Sequence, residues 1–282
     1  TAGAPRLLVQ GAGLDLAGGE IHALVGESGS GKTMIARAII GLLPDGISAS
    51  AGSIRFDGHE LMQLDEPARR ALRGARIGMI FQEPLVSLNP SMKIGAQMAE
   101  AMRLHTNKSR AEIRRTAIEM LDAVRIVDPE SCLDRYPHEF SGGMRQRIMI
   151  ASVMMLRPKL LLADEPTTAL DAIVQREVLD IMRDMTQRFG VSVLLVTHDL
   201  GVVARYADRV TVMCRGEIVE AGPTRDVIAA PKQAYTRNLL AALPQAPEGA
   251  PPEPAQDTPL IEASGLSIAY EKSAPLPFMR RR

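Results

Sequence analysis

The chain of 282 residues carries 33 lysines and arginines against 33 aspartates and glutamates, so no overall basic field marks nucleic acid as its main partner. Hydrophobic residues make up 46% of it, the share of an ordinary soluble globular protein, and the length is enough for one large domain or two small ones with a real core. Cys132 and Cys214 stand far apart without CxxC spacing, which gives no disulfide framework and no zinc site and suits a reducing cytosol.

The longest apolar run, near 148–156, has about nine residues, well short of the roughly twenty that span a bilayer. No charged stretch followed by an apolar core opens the chain, so no signal peptide is expected. Work at a membrane would go through a partner.

Taken in chain order, residues 21–25 (IHALV) predict a buried strand and residues 33–43 (TMIARAIIGLL) a helix. The strand pattern returns at 77–81 (IGMIF), 160–164 (LLLAD), 191–196 (VSVLLV) and 209–213 (RVTVM). Several of these runs are apolar without alternation, the pattern of a parallel sheet buried on both faces. Helices predicted over 171–190 and after Asp199 pack on that sheet, which makes the fold α/β.

Residues 91–156 hold helical stretches and no convincing strand; in the second stretch Ile113, Ala117, Leu121 and Val124 share one face. They predict an inserted helical subdomain over about 84–157 whose apolar faces serve core packing. From Pro244 the run PQAPEGAPPEPAQDTP, with six prolines, reads as an extended linker over 244–258. The stretch LIEASGLSIAYEK then alternates like a strand again.

The strand at 21–25 runs into GESGSGKT, residues 26–33, and then into a helix. This is G-x-x-x-x-G-K-[ST] in the strand, loop, helix setting that the motif requires. Gly26, Gly29 and Gly31 allow turns and close approaches, so the successive N–H groups of a loop that includes Glu27, Ser28 and Ser30 can ring a phosphate. The helix N-terminus adds its partial positive charge. Lys32 would reach the β- and γ-phosphates, and Thr33 Oγ would ligate Mg²⁺.

The strand LLLADE ends in adjacent carboxylates, Asp164 and Glu165. Alone, such a pair is as readily a strand end capping a helix. Coupled to the phosphate loop, it identifies a nucleoside triphosphate hydrolase, in which the first acid holds Mg²⁺ and the second orients or deprotonates the attacking water. A second stretch, EFSGGMRQR at 139–147, looks built to touch an anion. Ser141 Oγ, the amides of Gly142 and Gly143 and the N-terminus of the following helix form an anion site with no metal of its own.

With these residues in view, residues 9–243 resemble the ATP-binding subunit of ABC transporters, a phosphate-loop ATPase core of mostly parallel sheet with a small antiparallel β portion and an inserted helical subdomain. GESGSGKT resembles Walker A, Gln82 in IFQEP the Q-loop glutamine and SGGMRQ the family signature. LLLADEP resembles Walker B with its catalytic glutamate, TALD at 168–171 the D-loop and His198 in LLVTHDL the switch histidine.

The resemblance implies ATP and Mg²⁺ as cofactors, with Gln82 bridging Mg²⁺, the water and the membrane partner. It implies that His198 donates to the γ-phosphate and that Ser141, Gly142 and Gly143 contact the γ-phosphate bound to an opposite domain. Asp171 would shape the neighbouring site across that head-to-tail dimer, and as first residue of a helix it also reads as an N-cap. His22, His59, His105 and His138 receive no role.

The wording MIFQEPLVSLNPSMKIGAQMAEAMRLH, RYPHEFSGGMRQR and APKQAYTRNLLAALP is similar to the branch that imports oligopeptides and dipeptides, with relatives taking up nickel or glutathione. That branch implies permease subunits in the membrane, a periplasmic or extracellular solute-binding protein acting indirectly, no nucleic acid, and a peripheral place on the cytoplasmic face of the bacterial inner membrane. Some members carry a cysteine-bound iron–sulfur cluster after the AYTRNLLAALP region; no cysteine stands there, so none is expected.

Two departures bear on organisation. No aromatic residue precedes the phosphate loop to stack on adenine, and residues 1–20 look like the family's second strand. SGLSIAY resembles the missing opening, with Tyr270 at the adenine-stacking position, so residues 259–282 read as the start of a second ABC domain or as a tail with a chance match. Two alternatives stand beside the importer reading: a soluble ABC ATPase acting on DNA or ribosomes, and a nucleotide-binding fragment inactive without its second domain.

Overall fold

The computed structural model describes residues 7–82, 88–168, 170–242 and 262–267. Five strands run parallel in one sheet: β1 (Ile21–Val25), β4 (Ile77–Ile80), β5 (Leu160–Asp164), β6 (Ser192–Thr197) and β7 (Arg209–Cys214). β8 (Glu217–Pro223) pairs antiparallel with β7 and closes the order β4-β5-β6-β1-β7-β8. Every residue of β1, β4, β5 and β6 is buried, which is why their sequences run apolar without alternation.

The strands still alternate between two cores. Val193 and Leu195 of β6, with Leu161 and Ala163 of β5, pack into one apolar cluster. Leu194 and Val196, with Leu160 and Leu162, face the other. That second core is covered by α1 (Lys32–Ile40), through Ala36 and Ile40. Beside it lies the hairpin of β2 (Arg55–Phe56) and β3 (His59–Glu60), with α2 (Glu66–Leu72) following. The hairpin turns on Asp57 and Gly58, both at positive φ (53° and 83°), the backbone that a two-residue hairpin turn demands.

The first core holds the helical part of the chain: α3 (Ile94–His105), α4 (Arg110–Ala123), α5 (Pro129–Cys132) and α6 (Gly142–Met154), together with α7 (Ala172–Phe189). In α4, Ile113, Ala117 and Leu121 are buried on one face, and Val124, which caps it, is buried beside them. α6 lies directly on the sheet, since a Cβ at Gly78 of β4 would come within 2.5 Å of Val153. A third cluster gathers Ala23, Val25, Val210 and Val212 under α8 (Leu200–Tyr206), α9 (Thr224–Ala229) and α10 (Ala234–Ala241).

The strand expected in residues 1–20 is not seen among the described residues: 7–20 have no strand structure, and 1–6 lie outside them. Among the described residues two backbone amides in this stretch pair across to other segments, Gln10 donating to Gly216 O and Gly19 to Ser192 Oγ, both at 2.9 Å. Leu14 and Leu16 keep their apolar contact with the second core without a ladder. A strand exists by its ladder, and apolar contact alone does not make one.

Residues 1–243 form one compact unit and residues 244–282 another. Of the second, 262–267 are exposed and in neither helix nor strand. The expected linker at 244–258 and Tyr270 lie outside the described residues, as do 84–87 at the edge of the expected helical subdomain. No helix among the described residues is long and apolar enough to cross a membrane.

Strand register fixes where the chemistry gathers. Val25 pairs with Thr197 and Val212, and Asp164 pairs with Val196. The C-terminal ends of β1, β5 and β6 are therefore level, and residues 26–33, Glu165 and His198 leave the sheet at one edge. Ligands of open α/β sheets bind at that edge.

Candidate active site

The turn after β1 is shaped by close approach. A Cβ at Gly26 (φ 152°) would stand 2.1 Å from Met213 O of β7, and one at Gly31 (φ 101°) 2.7 Å from a methyl of Val9. Gly31 is also the N-cap of α1 and, having no side chain, leaves the first amides of that helix uncapped. Glu27, Ser28 and Gly29 are exposed, and Ser30 and Lys32 are buried. The result is a tight backbone ring at a helix N-terminus whose first amides are uncapped, the chemistry of an anion site.

Lys32, 5% exposed, folds into this ring. Its Nζ donates to Gly26 O and Glu27 O, both at 2.8 Å, and to Ser30 Oγ at 3.3 Å. Burial pushes its ammonium below the ordinary lysine range, while the charges of Glu165, Asp164 and Glu27 pull the other way.

Thr33 Oγ1 donates to Asp164 Oδ1 at 2.9 Å, joining the loop to the end of β5. Burial raises the Asp164 carboxyl above its usual value; the Thr33 bond opposes that shift and neighbouring Glu165 adds to it. Two oxygen donors in contact, one of them a carboxylate in a buried setting that disfavours its negative charge, are what a hard divalent cation takes.

Glu165 lies just beyond the strand at φ 46°, a left-handed conformation that costs a non-glycine residue on the order of 1–3 kcal/mol. Its own amide donates to Val196 O at 2.9 Å and holds the turn in place. Three side chains converge on its carboxylate. Gln82 Nε2 and Thr168 Oγ1 donate to Oε2 at 3.1 and 3.0 Å, and His198 Nδ1 lies 3.2 Å from Oε1. Because a carboxylate only accepts, Nδ1 carries the proton in that contact. Partial burial pushes the Glu165 carboxyl up, but the bonds from His198 and Thr168 and the charges of His198 and Lys32 outweigh it and hold it below the usual range.

Gln82, Glu165 and His198 are thus in direct contact, next to Thr33 and Asp164. The other expected residues form a separate group. Ser141 is the N-cap of α6 and accepts from Met144 N at 3.4 Å. Gly143 lies under α7, where an added Cβ would stand 2.3 Å from Val174 Cγ1. Asp171 caps α7, its Oδ1 accepting from Ile173 N and Val174 N at 3.0 Å. Among the described residues no hydrogen bond links 141–143 or Asp171 to the phosphate loop.

Three contributors escaped the sequence reading. Thr168 binds Glu165 across a tight turn. Gln146, fully buried, donates through Nε2 to Pro166 O and so ties α6 to the turn after Glu165. Tyr235 of α10 accepts through Oη from Glu27 N at 3.2 Å. Gln146 and Tyr235 join segments that only the fold brings together, so no spacing rule carries them; Thr168, in the same turn as Glu165, stood close enough in the sequence to be suspected.

A glycine-shaped turn leading into a helix, closed by a buried lysine and set beside a strand that ends in two carboxylates, defines a phosphate-loop nucleotide-binding protein of the α/β class. The chain belongs to the ABC transporter family, whose pattern it matches over residues 9–168. It is 49% identical to a peptidoglycan transport ATP-binding protein of Agrobacterium fabrum over 99% of its own length and 50% of that protein's. It is 41% identical to an oligopeptide transport ATP-binding protein of Bacillus subtilis over 98% of its own length and 82% of that one. The chain therefore spans half of the first relative and most of the second.

Among solved structures, the dimeric ATP-binding cassette MJ0796 bound to ADP and Pi matches with a TM-score of 0.69 at 25% identity, covering 80% of this chain and 94% of that one. CbiO1 of Clostridium perfringens, part of the transporter complex cbiONQ, matches with a TM-score of 0.69 at 27% identity, covering 84% and 89%.

Proposed function

We propose that the chain binds and hydrolyses ATP to drive import of peptides or similar small solutes through a partner permease. One observation carries the hydrolytic part: the carboxylate of Glu165 accepts bonds from Gln82 and Thr168 and meets His198, one residue beyond the Asp164 that Thr33 holds. The peptide-import part is supported by the oligopeptide-transport relative at 41% identity.

In this reading residues 26–33 ring the triphosphate, and Lys32 moves its ammonium from the carbonyls of Gly26 and Glu27 to the β- and γ-phosphates. Thr33, Asp164 and Gln82 hold Mg²⁺, whose oxygen-seeking chemistry fits that donor set and which, when bound, neutralises charge on the phosphates. Glu165 orients or deprotonates the attacking water. His198 donates to the γ-phosphate.

Ser141, Gly142, Gly143 and Asp171 act in trans. The hydroxyl of Ser141 and the amides of Gly142 and Gly143 receive the γ-phosphate held by a second ABC domain, head to tail, and Asp171 shapes that neighbouring site, so that hydrolysis loosens the pair. Attachment to the cytoplasmic face of the inner membrane goes through permease subunits, with a solute-binding protein coupled only through them.

The test replaces Glu165 by glutamine, which keeps size and polarity and removes the base. Phosphate release is expected to fall at least ~100-fold, the lower bound for loss of a general base, with ATP still bound. Turnover within a few-fold of wild type would exclude Glu165 from that role.

A further inference from the structure

Tyr235 touches the phosphate loop from an element that the nucleotide chemistry does not otherwise use. Its hydroxyl accepts from the amide of Glu27 at 3.2 Å. The peptide between Gly26 and Glu27 is thereby held at both ends, because its carbonyl, Gly26 O, accepts from Lys32 Nζ at 2.8 Å. The two bonds fix the plane of one peptide in a loop where glycines leave the backbone free to rotate.

The tyrosine has a firm base. Tyr235, Leu239 and Leu240 of α10 pack on the cluster that holds Val25, the last residue of β1 before the loop. The approach to α10 is pinned to β8, where Glu220 accepts from Lys232 N at 2.8 Å and Gln233 N at 3.2 Å. Arg237 closes the same corner by donating to Pro231 O at 3.1 Å and Lys232 O at 3.0 Å. Thr236, next to the tyrosine, is 1% exposed. A side chain so anchored does not follow the loop; it restrains it.

We infer that Tyr235 is a positioning residue for ATP: its hydroxyl holds the Glu27 amide, and with it the peptide between Gly26 and Glu27, so the loop keeps its order when Lys32 leaves Gly26 O for the triphosphate. Binding then loses less conformational entropy, the general gain of preorganisation. Tyr235 touches neither Thr33, Asp164 nor Glu165 by any hydrogen bond among the described residues, so it acts on binding and leaves the hydrolytic step alone. The inference rests on the ATP-binding reading above.

Two measurements test it. Tyr235→Phe removes one oxygen and keeps the ring on its cluster. ATP affinity by direct titration is expected to weaken about five-fold, the weight of one hydrogen bond, with kcat within about two-fold of wild type. Equal affinity in the two proteins overturns the inference, whatever happens to the melting temperature, since a purely structural tyrosine would change stability alone. A wild type that binds no ATP would instead overturn the ATP-binding reading.

The second measurement uses no nucleotide. The Glu27 amide, in an exposed residue, is expected to exchange its hydrogen slowly in the wild type and about five-fold faster in Tyr235→Phe. Free exchange in the wild type would show that the hydroxyl does not hold it.

Discussion

At the scale of single residues, Glu165 is the point where environment matters most. Burial alone would favour its protonated form, yet the bonds from His198 and Thr168 keep its carboxyl below the ordinary range. Removing His198 takes away the leading opposing contact and leaves the effect of burial. The acid limb of the kcat/KM profile of His198→Ala is therefore expected to move to higher pH, because the base stays protonated further up the scale. An unmoved limb in a variant that still turns over would show that His198 does not set the protonation of Glu165. Glu165 and His198 were legible because each sits at the end of an apolar strand. Thr168 was not: its bond depends on the left-handed turn at Glu165, φ 46°, which no periodicity announces. His22, given no role, is a satisfied core histidine, with Nε2 2.8 Å from Thr211 Oγ1 and Nδ1 2.9 Å from Asp15 O.

Among the elements, α6 and α7 show how packing and chemistry share one motif. Gly143 and Gly142 are neighbours in the signature, but their surroundings differ. A Cβ at Gly143 would strike Val174 at 2.3 Å, whereas at Gly142 the nearest atom is 3.9 Å away. Gly143→Ala is expected to cost about 1–3 kcal/mol by overpacking, a fall of several degrees in melting temperature without nucleotide. Gly142→Ala should leave the melting temperature unchanged or slightly raise it, since alanine suits a helix better than glycine. Equal melting behaviour of the two variants would contradict the close packing of α6 on α7. The strands β1, β4, β5, β6 and β7 were legible as short apolar runs, several of them without alternation because a parallel sheet buries both faces. The strand expected in residues 1–20 rested on family resemblance; within 7–20, Leu14 and Leu16 pack on the second core without a ladder to join. β2 and β3, two residues each, are too short to leave any pattern.

Over the whole molecule, the register of β1, β5 and β6 brings the phosphate loop, Asp164, Glu165 and His198 to one edge, while residues 141–143 and Asp171 begin helices of their own. The order of the motifs in the sequence could point to that edge, because strands of a parallel sheet present their C-terminal ends together. Sequence order could not reveal that Gln146 and Tyr235 tie α6 and α10 to it. The separation of the two groups is the reason for proposing enclosure in trans, in which ATP bound by residues 26–33 of one domain would be closed in by residues 141–143 of another. The most direct test is the mass in solution, by light scattering, of Glu165→Gln with and without MgATP, in which nucleotide binds and is not consumed. Enclosure in trans predicts the mass of one chain without nucleotide and of two with it, and a return to one when Ser141→Arg is added. A Glu165→Gln chain that binds ATP and stays at the mass of one chain would contradict it.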